Sequence, residues 1–170
     1  MDQHQIIRFI KQYPRVDIRS ALKDGIVQPE DIPDALTQAV FLRRMDVFDD
    51  LILNGADINA RNRLGLNPLE VAIETLDSSV LKHVLEKSPL LNAVGPDGMP
   101  ILHTSIDAEV EAALYDEDTE GRKAEPSAQL TSLLLQAGAD KSLRNNRGET
   151  PLQVAERRGH SAAAHLLSGG

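Results

Sequence analysis

Residues 51–93 read LILNGADINARNRLGLNPLEVAIETLDSSVLKHVLEKSPLLNA, and this stretch decides the fold. A helix end, a turn, a Pro-started helix and a second helix follow one another. The opening pattern then returns. Gly55-Ala56-Asp57-Ile58-Asn59-Ala60 closes one unit, and Ser88-Pro89-Leu90-Leu91-Asn92-Ala93 closes the next, 33 residues later. A period of that size is the signature of a solenoid of stacked helical pairs. Outward from this stretch, Leu36, Leu69 and Leu102 keep the 33-residue register, and Leu152 keeps it once an insertion of 17 residues is removed.

Composition agrees with an all-α reading. Aromatics are 3% of the 170 residues, Trp is absent, and Leu, Ala, Ile and Val carry the apolar content. That suits close-packed helices better than a β-sandwich. With no Cys there is no disulfide framework, thiolate zinc site or cysteine nucleophile. No apolar run approaches about 18 residues, so no membrane span is expected. The opening residues 1–5 lack the basic start and apolar stretch of a signal peptide, and a cytoplasmic location is expected. The formal charge of −8 argues against nucleic acid.

Each unit starts and stops with recognisable signals. Residues 1–30 do not fit the repeat. Asp2 and Gln5 have capping-box spacing, Ile6, Ile7, Phe9, Ile10 and Tyr13 form a helical stripe, and Pro14 stops it. A short helix from Asp17 carries Ile18, Ala21 and Leu22 inward and ends at Gly25. This segment reads as the atypical helical cap that a solenoid end requires. The repeats follow at about 33–60, 66–93, 99–142 and 149–168. Asn67-Pro68-Leu69-Glu70 is a cap, a first-turn proline and a reciprocal Glu. Leu69, Ala72 and Ile73 face inward, opposite Val80, Leu81, Val84 and Leu85 of the return helix. Ser78, Ser79 and Ser127 are expected to be helix N-caps. Ala162, Ala163 and Ala164 lie in a final small-residue helix that caps by position.

Thr150, Pro151, Leu152 and Ala155 match a T-P-L-H-x-A element, which Asn67, Pro68, Leu69 and Ala72, and Leu102 with His103, match in part. A G-A-D-x-N-A ending stands at 55–60 and as Gly138-Ala139-Asp140. On these residues the chain resembles the ankyrin-repeat family over about 33–168. The resemblance implies β-hairpin turns at about 60–67, 93–100 and 143–150. Departures from the pattern are Asp34-Ala35 at the Thr-Pro position, Arg43 at the turn Gly, and Ser88-Pro89-Leu90 for Gly-Ala-Asp. The last implies a remodelled helix end.

The resemblance also implies a binding face made of hairpin tips and first helices. On this chain it gives Arg61, Arg63, Leu66, Val94, Met99, Arg144, Asn146, Arg147 and Glu149 at the tips, and Phe41, Leu42, Glu74, Thr75, Arg157 and Arg158 on the helices. Arg is enriched at interfaces and suits bidentate contact with carboxylate or phosphate. Phe41 and Leu42 are expected to be buried under the cap, the alternative being an apolar anchor for a partner.

Catalytic patterns are missing. His103 and His160 fall at the family's structural histidine positions, His83 is expected to be solvated, and no H-E-x-x-H or G-x-S-x-G occurs. The sequence therefore gives no catalytic residue, metal site or cofactor. The insertion, near 107–126, reads DAEVEAALYDEDTEGRKAEP and carries eight carboxylates against Arg122 and Lys123. Val110, Ala113 and Leu114 extend the first helix of repeat three to about Tyr115. The remainder reads as a loop bearing an acidic arm, with Asp116, Glu117, Asp118 and Glu120 at its centre. The arm is expected to pair with Arg157 or Arg158.

The function read from these surfaces is non-catalytic protein–protein interaction. The chain would hold a partner protein on its concave hairpin and helix surface, and through the acidic insertion. It would act as adaptor or inhibitor, an immunity-type inhibitor of a toxic enzyme being one form. The alternative is an anionic ligand or nucleic acid on the Arg cluster. A monomer is expected, the alternative being a homo-oligomer through the apolar positions near Phe41.

Overall fold

Ten α-helices are seen among the described residues, 3–12, 18–25, 27–115 and 124–169 of this computed structural model. They are α1 (Gln3–Gln12), α2 (Ile18–Lys23), α3 (Ile32–Phe41), α4 (Met45–Leu53), α5 (Pro68–Glu74), α6 (Ser78–Leu85), α7 (Ile101–Leu114), α8 (Gln129–Gln136), α9 (Pro151–Arg158) and α10 (Ser161–Ser168). The capping box expected at Asp2, the helix stop at Pro14 and the helix start at Asp17 lie outside the described residues.

Local chemistry starts the first helix of each regular repeat. Asn67 accepts from the Glu70 N–H while Glu70 Oε2 accepts from the Asn67 N–H at 2.8 Å. Thr150 and Gln153 repeat the arrangement at α9. A box of this kind satisfies backbone donors that the helix itself leaves open. The proline next to it has no N–H to satisfy.

First helices stack on first helices, α3 on α5, α5 on α7 and α7 on α9, while α6 packs on α8. One continuous core results, including Leu36, Phe48, Leu69, Leu81, Leu102, Leu134 and Val154. At its N-terminal end α1 lies on α3 and buries Ile6 and Ile10 completely. No single helix pair could bury its stripe alone, so the stack is the unit of stability.

The hairpins form at the expected places. The N–H of Asn62 donates to Leu66 O at 2.9 Å, Gly95 to Met99 O at 3.0 Å, and Asn145 to Glu149 O at 3.0 Å. Asn62 and Asn145 also receive two backbone N–H groups each on their side-chain oxygens. Gly95 has no such side chain, and Asp97 accepts from the Met99 N–H instead.

Three expectations are corrected. The helix end at Ser88 keeps the course of its equivalents: Ser88 has φ +57°, like Gly55 and Gly138, and donates to Leu85 O at 3.0 Å. Only the next bond is missing. Ala56 and Ala139 donate back to Leu51 and Leu134, but Pro89 has no N–H. Ser78 and Ser79 do not cap α6. Asp77 does, accepting from Ser79 N and Val80 N. Ser127 reaches only Gln129 N at 3.4 Å, and the N-terminus of α8 is held by Glu109 instead.

Glu109 was counted with the acidic insertion, yet it is buried. Its Oε1 accepts from Leu130 N at 2.7 Å and Thr131 N at 3.2 Å. Its Oε2 accepts from the Thr131 hydroxyl at 2.7 Å and lies 3.2 Å from His160 Nε2. The insertion separates α7 from α8, so no neighbouring residue caps α8, and a carboxylate near a helix N-terminus is favourable. Helix α7 supplies it by running on for 14 residues, against 7 for α5. Its last residue is Leu114, in line with the expected extension.

Candidate partner-binding surface

The hairpins and first helices share one face, and the repeat register places equivalent side chains in rows along it. Most of the arginines on this face are engaged. Arg61 Nη1 meets Glu70 Oε2 at 2.9 Å, and Arg61 Nη2 donates to Val94 O of the next hairpin at 3.0 Å. Arg63 pairs with the fully buried Asp31 at 2.5 Å and with Asp34 at 3.1 Å. Arg157 grips Glu149 with two hydrogen bonds, at 2.7 and 3.0 Å. These bonds hold the Glu149 carboxyl below its usual range, the Arg157 bond contributing most and the Asn145 bond next. Arg158 lies 3.1 Å from Asp107 and 2.7 Å from Glu111.

The last pair joins repeat four to the helical part of the insertion, so Arg158 does meet insertion carboxylates. Among the described residues, the pairing is made by α7. Asp116, Glu117, Asp118 and Glu120 lie outside the described residues.

Arg144 and Arg147 differ. Arg144 donates to Gly148 O at 2.6 Å and forms no ion pair among the described residues. Arg147 is exposed and its guanidinium has no such partner either. Two carboxylates of this face, Asp97 and Glu74, are likewise without an ion-pair partner among the described residues. Asp97 lies at the tip of the second hairpin. Glu74 lies at the end of α5. Its carboxyl is pushed above the usual range by burial among its neighbours and then by the charge of Glu70.

Two grooves cross the face. The first, of about 240 Å³, is lined by Ile7, Phe41, Leu64, Leu66 and Val71, with Glu74 at its edge. Phe41 is 55% exposed there, so its expected burial is corrected. Helix α1 packs on α3, and its Ile7 borders the groove without covering the Phe41 ring. The half-buried Leu42 packs against the core. The second groove, of about 430 Å³, is polar and includes Asp97, Met99, Asp107, Glu111, Arg147, Arg157 and Arg158. The structure thus brings Leu66 and Glu74 to one groove and Met99, Arg147, Arg157 and Arg158 to the other. Thr75 instead bonds its own helix through Ala72 O and holds Arg43 through its carbonyl.

The histidines serve the fold. His103 Nε2 lies 2.9 Å from Glu149 O and so ties α7 to the third hairpin. His160 caps α10 through Nδ1 and meets Glu109 through Nε2. His83 was expected to be solvated. It is half-buried and lies 2.9 Å from Asp49 of the preceding repeat, an interaction made across the stack that its own helix does not reveal.

Helix pairs stacked on a 33-residue register and joined by hairpins make the ankyrin-repeat fold, and this chain has it. No protein-family profile matches it. It is similar to YahD of Escherichia coli (strain K12), itself a provisional ankyrin repeat protein by name, with 28% identity covering 78% of this chain and 77% of that protein. The crystal structure of the ankyrin repeat domain of Bcl-3, a member of the IkappaB protein family, matches with a TM-score of 0.61. Identity there is 30%, over 79% of this chain and 51% of that one, so the chain spans about half of that domain. Among the described residues, no helix is long and apolar enough to cross a membrane.

Proposed function

We propose that the chain is a non-catalytic protein-binding module that holds a partner protein on its hairpin and first-helix face. The observation that carries this reading is the pair of open grooves on that face, one of which exposes Phe41 and Leu64. Exposed large apolar side chains grouped in a groove are the usual mark of an interaction site. The likeness to ankyrin-repeat proteins supports the same reading, as do His103 and His160, both committed to structural bonds.

Its output is binding, as an adaptor or as an inhibitor, the latter including an immunity-type inhibitor of a toxic enzyme. An anionic ligand on the arginines is less well supported. Arg61, Arg63, Arg157 and Arg158 are already neutralised by carboxylates. The test is capture of partners from a lysate of the source cell, identified by mass spectrometry, on wild type beside a Leu64→Asp, Arg147→Glu variant. A protein retained by wild type and lost by the folded variant supports the reading. Equal retention, or retention of nucleic acid alone, contradicts it. Rescue of growth against a captured toxic enzyme would separate inhibitor from adaptor.

A further inference from the structure

The repeat register sorts the free side chains of this face by chemistry. The tips of three consecutive hairpins place Leu64, Asp97 and Arg147 at equivalent positions, once the insertion is removed. Leu64 is 72% exposed, and Asp97 and Arg147 are exposed without an ion-pair partner among the described residues. The row on the first helices runs the same way, through Phe41, Glu74, Asp107 and Arg157. Both rows therefore read apolar at the cap end, acidic in the middle and basic at the last repeat. Within the second row Asp107 and Arg157 are already paired, but Phe41 and Glu74 are open. Glu74 stands at the junction of the apolar groove and the acidic zone.

An unpartnered carboxylate beside an apolar groove favours a cation at that point. Unpaired charges of opposite sign one or two repeats apart fix the direction in which a ligand can lie. We infer that the partner presents to this face a segment with an apolar side chain, a Lys or Arg and an Asp or Glu in that order, seated on Leu64 and Phe41, on Glu74 and Asp97, and on Arg147 respectively. This rests on the proposed use of the face for protein binding. Packed helices lie about 8–10 Å apart, so each repeat advances the ligand by about that distance. An extended chain covers it in about three residues. A ligand of about seven to ten residues thus spans the three zones. The order disfavours nucleic acid, whose uniform phosphate charge would meet Asp97 and Glu74.

The test is selection from a phage-displayed library of random dodecapeptides on the full chain. Variants at exposed positions serve as counter-surfaces, each checked for wild-type helical circular dichroism. Enriched peptides should carry an apolar residue, then a basic one, then an acidic one, about three residues apart. Leu64→Asp should weaken such a peptide at least tenfold. Glu74→Lys should weaken it about tenfold, and a peptide with Asp or Glu in place of its Lys or Arg should recover the loss.

Peptides lost on Leu64→Asp and Arg147→Glu but lacking that charge order would overturn the inference and leave the binding face standing. Peptides bound equally by every variant would overturn both, and so would no enrichment over the Leu64→Asp surface. A wild-type dimer in sedimentation velocity that dissociates in Leu64→Asp would give the groove to a second copy and overturn the peptide assignment.

Discussion

The first and third hairpins carry arginine at the same register position and use it in opposite ways. Arg61 bridges Glu70, its own turn and the carbonyl of Val94 in the next hairpin. Among the described residues, Arg144 holds Gly148 O alone. The difference lies nine residues on. Glu70 follows Arg61, whereas Gln153 follows Arg144 and spends its amide oxygen on the Thr150 cap. Glu70 serves both needs at once, capping Asn67 and holding Arg61. Glu70 thus gives Arg61 an ion pair that Gln153 does not give Arg144, and the following hairpin adds the Val94 carbonyl. Surface arginines in a repeat protein cannot be assigned to binding by register alone.

The largest effect should come from removing that carboxylate. Glu70→Ala takes away the cap and leaves Arg61 without its ion pair, and it should cost about 2–3 kcal/mol in chemical denaturation. Gln153→Ala at the equivalent site should cost about 1 kcal/mol, the value of a cap alone. Equal losses would break the comparison.

On the turn side, Asp77 ties repeat two to repeat one. The Ser79 and Arg43 hydrogen bonds hold its pKa down to about 2 from 3.8. Because the folded value is depressed, the stabilisation is present above about pH 4 and is lost as pH falls toward 2. Wild type should lose about 1 kcal/mol more than Asp77→Asn over that window, with solvent screening allowed for. Glycine at Ser88, where Gly55 and Gly138 stand in other repeats, should gain about 0.5–1 kcal/mol in the same assay by relieving φ +57°. Smallest is Gln153→Glu. It offers Arg144 the partner that Arg61 has, and it should raise stability by about 0.5 kcal/mol, an effect that high salt reduces.

Much of the fold is legible in the sequence because it is set locally. The Pro-started helices depend on neighbours within a few residues, the register of Leu36, Leu69 and Leu102 repeats such a unit every 33 residues, and the hairpin positions follow from the family resemblance. The site was less legible because its state depends on contacts between repeats. Arg63 finds Asp31 and Asp34, and Arg158 finds Asp107 and Glu111, across tens of residues. Some signals lie within a single helix but are masked by composition. Glu109 lies seven residues after the buried Leu102, on the same helical face, yet it was grouped with the acidic insertion by composition. Phe41 lies at the end of α3, where Ile7 of α1 borders the same groove without covering the ring, so its exposure depends on packing between helices.

The comparison of the two hairpins is tested most directly by thermal unfolding of Arg61→Gln beside Arg144→Gln. The account predicts a loss of about 2 kcal/mol for Arg61→Gln, a fall in Tm of roughly 4–8 °C, and a shift within about 1–2 °C for Arg144→Gln. Equal falls, or a larger one for Arg144→Gln, would contradict the division between arginines that hold the repeats together and arginines left free to bind.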